Sequence, residues 1–331
     1  MNRYRCGSLV VVLACVFGVG AESAYYIGNS LTDNINYAGV EKMAENAGID
    51  FEYGRLMIPG APLGWLWGER TTGFCQPSCP DDALTNMDWD IMTMQVGQWG
   101  LNAEAEAATN YINLAKGRNP DIQAYIYATW PDKPWGDYSW CWERSMTESW
   151  CTADWFEHII AKVRNDVPDV KPVCLVPSGH VMYELEQRMK QAAIAGHSTV
   201  HDFYNDACHL NNVGSYITGC TMFATICKKD PRGSAVPSEY GSIDGALVQA
   251  IQDAVWKVLT EMSDVTGVGG EVPVVYTVRK TAAAVSRDLP ALFTLRGERV
   301  CAGLHGGNPA YPGLLAGAGG RTLVQAGAKA R

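Results

Sequence analysis

Two short stretches, far apart in the chain, carry residue types that together can activate a hydroxyl. In residues 25–34 (YYIGNSLTDN) an apolar run ends in Gly28-Asn29-Ser30-Leu31 and gives way to a helix-like segment. A serine at a strand-to-helix turn has its hydroxyl exposed at the sheet edge. Its amide lies near the helix N-terminus, where the positive end of the dipole favours a developing oxyanion. Ser30 or Thr32 can equally be a helix cap, a common role for both residue types, and this stretch alone favours the cap. The second stretch is Asp206-Ala207-Cys208-His209. An Asp and a His three apart at a turn can sit close enough for the carboxylate to hold the imidazole in one tautomer. The other ring nitrogen can then take a proton from a serine. Serine needs such a base, because its hydroxyl is a poor nucleophile at neutral pH. Either pair alone recurs by chance; a Ser after the first strand and Asp-x-x-His after the last make a far more specific set.

Positioning them requires an ordered frame, and the hydrophobic pattern supplies one. Short, near-continuous apolar runs at 24–28, 91–96, 122–128 and 172–176 predict buried strands of a parallel sheet covered on both faces. Helical periodicity falls at about 36–47, 103–117, 153–165, 181–195, 210–228 and 244–262. This alternation predicts one α/β three-layer domain, with its site at the carboxyl ends of the strands. The chain has 331 residues, 47% of them hydrophobic and 18% charged, enough to fill a sizeable core. A net charge of −9 argues against a nucleic-acid surface.

Arg3 and Arg5, the apolar run 9–19 and the small residues Gly18, Gly20 and Ala21 have the order of a secretory signal peptide. The expected cleavage follows Ala21, placing the mature chain outside the cell or in the periplasm; lipid attachment at Cys15 is the minor alternative. No later stretch is apolar for long enough to insert stably in a membrane. Export suits disulfides, and Cys75/Cys79 and Cys141/Cys151 are plausible loop staples. Cys174 reads as a buried thiol. Ten of the eleven Trp lie between Trp65 and Trp155. Residues 130–152 are expected to be an ordered insertion whose Trp faces either stack on sugar rings or fill a satellite core. Residues 265–331 carry eight basic and three acidic side chains and 12 of the 34 Gly, and they are expected to be a disordered tail. His158 and His201 show no ligand spacing, and no metal, cofactor or dinucleotide site is expected.

With both blocks in place, residues 24–262 resemble the SGNH or GDSL-type serine hydrolases. Gly28-Asn29-Ser30-Leu31 stands in place of Gly-Asp-Ser-Leu, and HLNNVGSY at 209–216 looks like extracellular bacterial members. The resemblance implies a flavodoxin-like α/β/α sandwich with a central parallel sheet, over residues 22–264. It also implies Ser30 as nucleophile, His209 as general base and Asp206 as its orienting partner. The oxyanion donors it implies are the amides of Ser30 and Gly60 and an Asn side chain after the third strand. The chain lacks that Asn block and reads Met94-Gln95-Val96-Gly97-Gln98, so Gln95 is expected in its place, with Gln98 as rival. Asn29, Trp99, Trp130, Trp135 and His180 are expected to touch substrate. The function that follows is a secreted esterase acting on an acetylated polysaccharide or another small ester. The alternatives are a carbohydrate-binding protein without catalysis, and a lipase or aryl-esterase.

Overall fold

The computed structural model describes residues 22–97, 100–133 and 153–270, together with four short strands after residue 291. Six strands form the central sheet: β1 (Glu22–Gly28), β2 (Phe51–Met57), β3 (Phe74–Gln76), β4 (Ile91–Gln95), β5 (Gln123–Tyr127) and β6 (Cys174–Val176). Their order is β3-β2-β1-β4-β5-β6. All neighbours are parallel except β3, which pairs antiparallel with β2 at the edge. After β1 the chain moves one way to β2 and later returns to lay β4 on the other side of β1. The sheet therefore has a topological switch point between β1 and β4, the place where open α/β sheets leave a crevice at the carboxyl ends of their strands.

Side-chain alternation divides the sheet into two apolar faces. Ala24, Tyr26, Tyr125, Tyr127 and Val176 meet one layer of helices: α2 (Tyr37–Asn46), α7 (Ser178–Lys190), α8 (Asn212–Ile226) and α9 (Gly245–Glu261). Tyr25, Ile27, Met92, Met94, Ile126 and Leu175 meet the other: α3 (Leu63–Gly68), α4 (Pro80–Asn86), α5 (Leu101–Lys116) and α6 (Ala153–Asp166). This is the three-layer α/β/α sandwich that the strand–helix alternation predicted. The one-turn α1 (Ser30–Asp33) follows β1 directly, and the equally short α10 is Ser263–Thr266.

Residues 51–57 (FEYGRLM) are β2 although they form no continuous apolar run. The strand lies next to the edge and alternates buried with more exposed positions, with Glu52 in solvent. The packed region also passes residue 264, because Val265 and Val268 are buried. Beyond it the tail contains short strands at Leu292–Thr294, Arg299–Val300, Leu315–Ala316 and Thr322–Leu323, paired in an antiparallel sheet, where the sequence suggested only disorder. Cys75 and Cys79 form the expected disulfide. Cys174 is buried, and burial pushes its thiol up from the ordinary value. Cys141 and Cys151 lie outside the described residues.

Helix α8 is buried nearly all round, from Gly214 to Ile226 apart from Ser215. Its threonines remain compatible with that burial because their hydroxyls donate back along the helix, Thr221 to Ile217 O at 2.8 Å and Thr225 to Thr221 O at 2.7 Å. Gly219 lets α8 press against the chain after β1: a Cβ there would overlap the Tyr240 hydroxyl and stand 2.6 Å from Ile35 O. Tyr240 itself donates to Ile35 O at 2.8 Å. Gly219→Ala is therefore expected to destabilise the protein by about 2–3 kcal/mol through overpacking, read as a lower urea midpoint. Gly245→Ala, where a Cβ would meet nothing within 4 Å, is the control and should leave the midpoint unchanged or raise it. Equal losses in both would contradict the packing argument.

Candidate active site

The turn after β1 is built around a glycine that can hold no side chain. A Cβ on Gly28 would overlap Thr32 Oγ1 and stand 2.8 Å from Gln95 Oε1. Asn29 follows in extended conformation and caps α1, its side chain accepting from Leu31 N at 2.9 Å. Ser30 is then the first residue of α1 and half-buried. With four residues, α1 is too short for a sizeable macrodipole, so what matters at Ser30 is the direction of its own amide. No acceptor among the described residues engages the Ser30 or Gly60 backbone N–H.

His209 arrives from the loop between a 3-10 turn at Val200–Phe203 and α8, and several contacts fix that loop. Tyr204 and Leu210 bridge antiparallel, and Asn205 N donates to His209 O at 2.8 Å. Leu210 N donates to Asn34 Oδ1 at 3.2 Å, which ties the loop to the residue that ends α1. On the other side Trp130 Nε1 donates to Cys208 O at 2.7 Å, Lys133 N to Ala207 O at 2.6 Å, and the Tyr204 hydroxyl to Pro131 O at 2.8 Å.

The result joins residues 179 positions apart. His209 Nε2 lies 2.9 Å from Ser30 Oγ, and His209 Nδ1 lies 2.8 Å from Asp206 Oδ2. The other Asp206 oxygen accepts the amides of His209 at 2.7 Å and Cys208 at 2.9 Å. Desolvation works to raise the Asp206 carboxyl, but these two amides and the imidazole outweigh it and hold the group down to about 2. An ionised carboxylate at Nδ1 puts the ring proton there and leaves Nε2 as the acceptor facing the serine hydroxyl. Asp206, Cys208 and His209 place ligand atoms within 4.8 Å of one another. A cation could use the first and last only by parting the hydrogen bond between them.

Gly60 sits exposed, at φ 69°, in a turn closed by Ala61 N donating to Ile58 O at 3.2 Å. That turn is fastened beside Ser30: Ile58 N donates to Gly28 O at 3.2 Å, and Asn29 Nδ2 to Ala61 O at 3.1 Å. Its far side is held by Glu104, a fully buried carboxylate that accepts from Leu63 N at 3.1 Å and from Gly97 N at 2.6 Å. Glu104 and Asn34 had no role in the sequence reading; the helical period hid the first, and the second stood four residues after Ser30.

Gln95 is placed at the end of β4, beneath Ser30, with 3% exposure. Its Oε1 accepts from Asn29 N at 3.1 Å and from the Thr32 hydroxyl, and its Nε2 donates to Asn29 Oδ1 at 2.9 Å. The side chain thus spans the nucleophile turn from below, and its amide is engaged by Asn29. Trp130 differs from expectation. It is fully buried, and its indole braces the His209 loop, so it offers no face to a sugar. His180 lies in the first turn of α7, half-buried, at the end of β6. That strand is three places from β1, roughly 14 Å along the sheet. Gln98, Trp99 and Trp135 lie outside the described residues. His158 and His201 are half-buried on α6 and on a 3-10 turn at Val200–Phe203.

No family model matches the chain, and no curated protein matches it. Among solved structures it is similar to a DUF4886 family protein from Bacteroides uniformis ATCC 8492. The two are 17% identical over 74% of this chain and 97% of that one, with a TM-score of 0.51. That likeness shows a shared fold. Looser overlaps are found with a candidate SGNH hydrolase from Slackia heliotrinireducens (19% identity, 62% of this chain and 98% of that one, TM-score 0.38). Another is with a carbohydrate esterase family 3 structure from Talaromyces cellulolyticus (13% identity, 63% and 97%, TM-score 0.41). At those scores neither carries an argument about activity.

Proposed function

We propose that this protein is a secreted serine esterase that removes an acyl group, acetyl in the simplest case, from a carbohydrate. The observation that carries the reading is the continuous relay from Ser30 Oγ through His209 to Asp206, at 2.9 and 2.8 Å. Ser30 Oγ attacks the ester carbonyl while His209 Nε2 takes its proton, and the amides of Ser30 and Gly60 hold the oxyanion. Collapse breaks the bond to the alcohol oxygen, which leaves with the proton from His209. Water then attacks the acyl-serine, His209 takes and returns the second proton, and the acid departs. Asp206 stays ionised throughout.

The carbohydrate half of the reading rests on the abundance of Trp, the acidic balance and the signal-like leader. It is tested by turnover against acyl length. Activity on p-nitrophenyl esters is expected to fall sharply from acetate to longer chains, with acetate released from acetylated xylan. Activity that rises with chain length would instead make it a lipase. A second reading, a carbohydrate-binding protein without catalysis, is favoured by the engagement of Gln95 with Asn29 rather than with the cleft. It predicts glycan binding that survives Ser30→Ala, with no ester turnover by either form.

A further inference from the structure

We propose that the pocket between α1, β2 and α8 is the subsite that holds the sugar ring of the ester's alcohol half; this rests on the esterase reading above. The cavity is about 340 Å³ and is lined by Asp33, Asn36, Tyr53, Arg55, Gln76 and Ser215, with Tyr37 behind them. That volume is at the low end for ligand sites and suits a compact ring. Two of its lining residues adjoin the segments that carry the relay. Asp33 is three residues after Ser30 on α1, so their Cβ atoms are about 5–6 Å apart on one face. Ser215 is on α8, whose cap, Asn211, comes two residues after His209. An ester with its carbonyl at Ser30 has this pocket as its neighbour.

The lining has the chemistry of polyol recognition. Arg55 Nη1 donates to Asp33 Oδ1 at 2.9 Å, and the Tyr37 hydroxyl donates to the same oxygen at 2.8 Å. The guanidinium lies 5.3 Å from the centre of the Tyr37 ring, and that ring stacks on Tyr53 at 5.3 Å and 17°. The two charges cancel, so the pocket has no net field to select an ion. What remains is an acceptor beside a donor fork, the complement of two neighbouring hydroxyls. Both partners are part-exposed, with 27% and 29% of their side chains accessible. The buried Arg55 Nε has no hydrogen-bond partner among the described residues. Asn36, Gln76 and Ser215 add further donors and acceptors, and Tyr53 adds an apolar surface for ring C–H groups. A lipid acyl chain would strand these polar groups without partners, at a cost that disfavours it.

The test uses the full chain, Ser215→Trp to fill the pocket and Gln76→Ala to remove a rim amide; Gln76 is exposed and Ser215 half-buried. Each form is assayed on fully acetylated xylo-, gluco- and chito-oligosaccharides and on p-nitrophenyl acetate. The quantity read is the ratio of kcat/KM on the best oligosaccharide to that on the aryl ester. Ser215→Trp is expected to lower the ratio about tenfold or more, the size of one or two lost polar contacts, and Gln76→Ala less. An unchanged ratio in Ser215→Trp overturns the subsite. If the unmodified chain hydrolyses no ester, the esterase reading fails on its own, and calorimetry with the same oligosaccharides decides the pocket. Binding that Ser215→Trp abolishes keeps the subsite; binding that it leaves intact, or no binding at all, overturns it.

Discussion

Replacing His209 with alanine is expected to lower kcat/KM on p-nitrophenyl acetate by about 10⁴-fold or more, and Ser30→Ala by a similar factor. The reason lies in the geometry. His209 Nε2 is the polar side-chain atom facing Ser30 Oγ, 2.9 Å away, and without it the hydroxyl has nothing to take its proton as the bond to carbon forms. The two residues act on one proton, so the double variant is expected to be no slower than either single one. Independent contributions would instead multiply. Asp206→Asn belongs to the same series. It keeps the shape of the side chain but removes the carboxylate that fixes the ring proton on Nδ1, and a loss of about 10⁴-fold is expected by the same reasoning. Because Asp206 is held down to about 2, its protonation is expected to leave no step in the ordinary carboxylate range on the acid side of the kcat/KM profile. All these positions are half-exposed at the cleft, so stability should be little changed, and a cooperative melt of each variant separates lost chemistry from lost fold.

The second large effect is expected below the nucleophile. Gln95→Leu fills nearly the same space but leaves two buried or part-buried groups without partners, Asn29 N and the Thr32 hydroxyl, and takes from Asn29 Oδ1 one of its two donors, the other being Leu31 N. Each unsatisfied group costs about 1–3 kcal/mol, so the melting temperature is expected to fall by many degrees. Asn29 also fastens the Gly60 turn through Ala61 O and caps α1, so Ser30 and Gly60 lose their common support. The remaining activity is expected to drop in kcat rather than in KM, since substrate contacts are untouched while the donors of the oxyanion are displaced. Gln95→Glu is the sharper comparison. Its carboxyl keeps the acceptor for Asn29 N and Thr32 but can donate to Asn29 Oδ1 only while protonated. At this 3% exposed position most of the stability loss should therefore be spared at acid pH and should return as the pH rises and the buried group must ionise. If Gln95→Leu melted as the unmodified chain does and lost only kcat, its amide would be acting on the reaction directly.

How far the sequence foretold this arrangement depended on what kind of signal each part leaves. Strands β1, β4, β5 and β6 are buried on both faces and therefore read as short, continuous apolar runs. Strand β2 is not, because Glu52, Gly54 and Arg55 interrupt it, and the last of these is where the charged wall of the pocket comes from. Ser30 and His209 were legible as residue types in the right local settings. Their meeting was expected only from the family resemblance, because the contacts that bring it about, with Asn34, Tyr204 and Trp130 holding one loop against the end of α1, leave no local pattern. Trp130 shows the limit of composition: an indole suits a sugar face and a buried brace equally well, and its full burial with the hydrogen bond to Cys208 O distinguishes the two. Gln95 shows the limit of analogy. An amide side chain at the end of β4 was expected to serve the oxyanion, and the structure gives one of its two N–H donors and its oxygen to the support of the Asn29 turn.

The most direct measurement is covalent labelling of the full chain with diethyl p-nitrophenyl phosphate, which leaves a stable phosphoryl group on an activated serine hydroxyl. Intact mass and peptide mapping then locate the label. One adduct per chain on Ser30, absent or greatly slowed in His209→Ala, is the result expected of a serine activated by the relay. A folded protein that takes no label, takes it on another residue, or labels equally fast without His209 would contradict the assignment of Ser30 as nucleophile.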